Sequence, residues 1–105
     1  MPTISKAKTF PKGAVLTALT AALLAEAKRK LKHESKPVPA DVMMLRTKSI
    51  VLDSLGVVEI LMIVEPIAKC ELPETIVRAG GYNSVDEAVK HIMPRIEDVW
   101  KRKTK

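Results

Sequence analysis

Aromatic residues are scarce in this chain of 105 residues: one Trp, one Tyr and one Phe, 3% of the total. That scarcity argues against a β-sandwich or an aromatic-rich binding surface. No strand-like alternation survives for more than a few residues, and there are no internal repeats. A single cysteine, Cys70, excludes an internal disulfide and suits a reducing, cytoplasmic setting. Cys70 itself reads as a small, partly buried hydrophobe, since neither histidine is near it in sequence. His33 and His91 are isolated, with no metal-ligand or catalytic spacing, and read as surface or helix-end residues. The expectation is therefore no metal and no enzyme activity. The length allows one domain with one modest core, and the abundant Leu, Ala, Ile, Val, Met, Lys and Glu mostly favour helix.

No acid precedes Glu26, and the basic excess is uneven. Residues 1–48 hold ten Lys/Arg against three Asp/Glu, residues 49–99 four against nine, and the tail Lys101-Arg102-Lys103-Thr104-Lys105 adds four cations. The net +6 thus describes an acidic helical segment between basic ends. Lys6, Lys8 and Lys12 ahead of the apolar run 14–25 imitate a signal peptide, and the missing acids would also suit an organelle presequence. The helical pattern continues to Leu31, however, and the run is too short to span a bilayer. It reads as the first helix of a domain.

Residues 1–10 read as a flexible basic arm, 11–93 as a helical domain and 94–105 as a basic C-terminal extension. Pro11 suits a helix start. Leu16, Leu19, Leu23, Ala27 and Leu31 recur at spacings of three and four, with Lys28, Arg29, Lys30 and Lys32 where cations suit the helix dipole. Residues 33–48, with Pro37 and Pro39, read as a long loop that Val42, Met43, Met44 and Leu45 pin to the core. A second helix runs from about Ser54 to Lys69 and is apolar almost all round, interrupted by Glu59, Glu65 and Lys69. A small bundle cannot bury every face of it, so part should meet a partner or line a cavity. Pro66 should kink or end it. A short element is expected around 74–78, then the Gly80-Gly81 turn. The capping box Ser84-Val85-Asp86-Glu87 opens a last helix, which Pro94 should kink or divide. The expected fold is all-α, a small four-helix bundle with a long loop between helices one and two and a helical C-terminal extension.

The run Asp53-Ser54-Leu55 lies where a polar loop gives way to that second helix. There Ser54 meets unpartnered N–H groups and the positive end of the dipole, which suits a phosphate ester. Asp53 or Ser54 could equally act as a simple cap. With the helix order, the triplet, Val58-Glu59, Met62, Glu65 and the Glu71-Leu72-Pro73 turn in place, the chain resembles the acyl carrier proteins over about residues 12–93. Asn83-Ser84-Val85 and the residues 88–92 look like that family's last helix.

The resemblance implies that a phosphopantetheinyl transferase attaches 4′-phosphopantetheine to Ser54, with Asp53 and Leu55 completing the modification triplet. It also implies that Val58, Glu59, Met62 and Glu65 face partners. Such a monomeric carrier would hold acyl intermediates as thioesters and deliver them to acyl-transferring or condensing enzymes. Gly56 and Pro66 stand where the family usually has acids, which points to a dedicated partner set in specialised lipid or polyketide-like synthesis. The basic arm and tail fall outside the family core. Solvated charge is the plain reading of both, and an acidic partner or an anionic membrane surface would also fit them. An unmodified carrier-like module docking through helix two is the alternative. Nucleic-acid binding is disfavoured, because the cations sit mostly at the chain ends and no basic recognition helix follows a turn.

Overall fold

A computed structural model describes residues 9–103. Among the described residues there are four α-helices: α1 (Lys12–His33), α2 (Val42–Thr47), α3 (Ser54–Ala68) and α4 (Val85–Lys103), with a 3₁₀ turn at Glu74–Ile76 before the last. The expected small all-α bundle is what forms. Among the described residues there is no strand, only an isolated antiparallel bridge between Leu52 and Tyr82. No helix among them is long and apolar enough to cross a membrane. Residues 1–8 of the expected basic arm and the last two residues of the tail lie outside the described residues.

α1 is the central packing element, lying against both α3 and α4. Its buried stripe is Val15, Leu19, Leu23, Ala27 and Leu31. The spacing of four holds throughout, so Val15 takes the inward position expected for Leu16, which is exposed. The helix closes with Ser35 in the left-handed region at φ 58°, where Lys36 N–H donates to Leu31 O and Ser35 N–H to Lys32 O. That paired closure satisfies carbonyls the last turn would otherwise leave bare.

The segment read as a long loop contains a helix. Asp41 caps α2 by accepting from Met43 N–H at 2.8 Å. Only Leu45 enters the core, and Arg46 donates to Asp86 of α4 at 2.8 Å. Those two residues hold α2 in place. Val42, Met43 and Met44, expected to pin the segment, are instead exposed, because a six-residue helix presents about one side chain per turn to its support.

Both internal prolines are tolerated. α4 continues through Pro94 to Lys103, and α3 runs two residues past Pro66 before Lys69 ends it in the left-handed region at φ 61°. Each proline removes a bond to the carbonyl four residues back, which belongs to Met62 in one case and Lys90 in the other. All four of these residues are exposed, so the freed carbonyls lie on water-facing sides. The opposite face of α4 meanwhile buries Ile92, Met93, Ile96, Val99 and Trp100. Trp100 packs against Phe10 with ring centroids 5.6 Å apart, so the C-terminal stretch folds back on the chain's N-terminal side.

Candidate functional site

The start of α3 is fixed from two directions. Ahead of it, Leu52 and Tyr82 exchange backbone hydrogen bonds of 2.8 and 2.9 Å, and Ile50 N–H donates to Asn83 O. The approach is so close that a Cβ on Gly81, which holds φ +81°, would lie 2.1 Å from Leu52 O. Only glycine serves there. Behind it, Val57, Ile60, Leu61, Val64 and Ala68 bury the inner face of α3.

Asp53 is the N-cap, its Oδ1 accepting from Gly56 N–H at 2.8 Å. Of the two residues that could cap the helix, Asp53 is the one that does. The capping oxygen comes from Asp53, and Ser54 occupies the first helical position, half-buried. Among the described residues, no hydrogen bond engages the Ser54 hydroxyl, and the Ser54 and Leu55 N–H groups have no partner.

The other residues singled out in the sequence divide into three groups. Leu55 (72% exposed) and Met62 (65%) lie on the outward stripe with Glu59. Ile63 joins them, although the sequence did not single it out. Val58 is half-buried and packs against the core. Glu65 is engaged inside the chain, accepting from Leu72 N–H at 2.9 Å and so closing the turn after α3.

Charge around the site is mixed, and part of it comes from α1. Arg29 grips Glu26 through two bonds, Nε to Oε1 at 3.0 Å and a second guanidinium nitrogen to Oε2 at 2.6 Å. Glu26 of this pair lies over the first turn of α3: a Cβ at Gly56 would stand 3.3 Å from Glu26 Oε2 and 3.2 Å from Asp53 Oδ1. The bond to Glu26 and attraction to it, with further attraction from Asp53 and Glu59, hold the Arg29 guanidinium still more firmly protonated. Sequence reading placed Arg29 only at the end of α1. Its spacing of three from Glu26 was the available signal for the pair. A groove of about 220 Å³ beside the entry to α3 is lined by Lys30, Lys48 and Val51 and by Glu34 and Lys36, which pair at 3.2 Å, among others.

A second polar cluster supports the segment that pairs with Leu52. Tyr82 is buried, its hydroxyl accepting from Arg78 N–H at 2.9 Å and lying 2.6 Å from His91 Nδ1. Since that hydroxyl already accepts, donating to a neutral His91 completes its bonding. Burial lowers the His91 pKa, and the cations Arg95 and Arg78 lower it further. Burial likewise pushes the Tyr82 hydroxyl and the Cys70 thiol up. Cys70 is thus disfavoured as a thiolate at neutral pH. Ser84 accepts from Glu87 N–H as the capping box requires, while the Glu87 carboxylate reaches Asn83 N–H one residue further out.

Among the described residues, no group of three or more His, Cys, Asp or Glu could hold a metal ion. In comparisons with known proteins, no family model matches the chain, and no curated protein or solved structure matches it.

Proposed function

We propose that this protein is an acyl carrier in which Ser54 bears a 4′-phosphopantetheine arm. The observation that carries the reading is the division of labour at the start of α3. Asp53 does the capping, and the Ser54 hydroxyl has no hydrogen-bond partner among the described residues. A phosphodiester at that hydroxyl would lie beside the N–H groups of Ser54 and Leu55, which have no partner among the described residues, and the positive end of the helix dipole. The residues present therefore fit the group. When bound, it supplies a thiol that carries an acyl chain as a thioester on a long flexible tether.

The protein's own part is to position and protect. The bridge at Leu52 and the buried face of α3 hold Ser54 in one place. The exposed Leu55, Met62 and Ile63 offer apolar surface to an enzyme or to the acyl chain itself. Tethering raises the effective concentration of the acyl group at whatever enzyme the carrier meets, acyl-transferring and condensing enzymes being the class in view.

Incubation with a phosphopantetheinyl transferase and coenzyme A, followed by intact mass measurement, tests the proposal. One added phosphopantetheine is expected on the wild type and none on Ser54→Ala. If several transferases leave the wild type unmodified, the carrier reading fails. The same exposed residues favour a second reading, an unmodified module that docks through α3. That reading predicts a Ser54→Ala protein with undiminished partner binding.

A further inference from the structure

We infer that Arg29 is a specificity-determining residue for the enzyme acting at Ser54, selecting one that presents an acidic group to the first turn of α3 and disfavouring one whose docking face is wholly basic. The inference rests on the carrier reading and deepens it. α3 itself offers acid alone: Asp53 caps it, Glu59 lies on its outward stripe, and no Lys or Arg occurs between Ser54 and Ala68. A basic enzyme surface would complement such a helix if nothing else lay across it.

Arg29 is held beside it, bonded to Glu26 over Gly56 and near enough for Asp53 and Glu59 to attract its guanidinium. Its side chain is 68% exposed, whereas Glu26 beneath is 22% exposed. An approaching protein thus meets the guanidinium before it meets the Glu26 carboxylate. The placement follows from packing: α1 lies along α3, and Leu23, Ala27 and Leu31 are buried. The intervening Glu26 comes over Gly56, where the closest approach of a Cβ to Glu26 would be 3.3 Å. Glycine at 56 leaves room for the Glu26 carboxylate, which in turn holds the more exposed Arg29 guanidinium, a cation of a kind α3 lacks. Around the adjoining groove Lys30 and Lys48 extend that positive side, while Lys36 is paired with Glu34 at 3.2 Å. The surface around Ser54 is therefore divided, with acid along α3 and base along the end of α1.

Loading kinetics test the inference. Wild type, Arg29→Ala and Arg29→Glu are compared at low ionic strength, with thermal melting to check that each variant is folded. The first enzyme is a phosphopantetheinyl transferase with a basic docking face, with coenzyme A as donor. Arg29→Glu should raise kcat/KM by about tenfold and Arg29→Ala by less, and both gains should fade as salt screens them. With a lysate of the native host as the transferase source, Arg29→Glu should instead load more slowly than wild type. Equal rates for wild type and Arg29→Glu with either source overturn the inference while leaving the carrier reading intact. No loading of any variant by any source overturns the carrier reading itself, and this inference with it.

Discussion

Helices α3 and α4 each carry an internal proline and many apolar residues, yet they use those residues differently. In α4 the eight buried residues from Val85 to Trp100 follow a single stripe, and none of the exposed large hydrophobic residues belongs to it. In α3 a comparable stripe is buried, but Leu55, Met62 and Ile63 are left outside. The apolar content of α4 is accounted for by folding. That of α3 exceeds what the core takes up, and the surplus lies on the helix that begins at Ser54. Exposed apolar surface on one face is a cost that folding alone does not explain.

Stability measurements would sharpen this contrast. Truncating Ile96 to Ala, fully buried in α4, should destabilise the fold by about 2–5 kcal/mol, read from chemical denaturation. Asp53→Ala removes the cap of α3 and should cost about 1 kcal/mol in the same assay. Ser54→Ala, whose hydroxyl has no bond to another described residue to lose, should stay within about 0.5 kcal/mol of wild type, as should Met62→Ala on the outward stripe. A large loss from Met62→Ala would break the comparison, because it would mean that the outer face of α3 supports the fold after all.

The smallest expected effect concerns pH and the support beneath the site. The His91 pKa is lowered from 6.5 by burial and neighbouring cations. The unfolded chain therefore takes up this proton at a higher pH than the folded one. His91 should contribute stability that is full above 6.5 and lost as pH falls through the lower, folded-state value. NMR titration of the imidazole should show a midpoint below 6.5, and His91→Gln should flatten this part of the stability profile.

Much of the helix order was legible because strong local signals agreed with packing. Pro11 opens α1, Ser84 and Glu87 open α4, and the change from polar loop to apolar run marks Ser54. Three features were obscured for physical reasons. α2 is only six residues long, too short for periodicity to register, although Asp41 ahead of an apolar run was a cap signal in plain view. The prolines suggested breaks because sequence does not show which carbonyl faces water. Arg29 lay unnoticed because Asp53, which attracts it, and Gly56, beside its partner Glu26, lie at the start of another helix, and only packing brings them together. The triplet itself left two readings open, and the bond from Gly56 N–H to Asp53 assigned the cap.

The central claim concerns the covalent state of one hydroxyl. Intact mass and peptide mapping of the protein purified from its native host address that state directly. A phosphopantetheine, free or acylated, on the peptide containing Ser54 is the predicted result. An unmodified Ser54 in all of the native material would contradict the account.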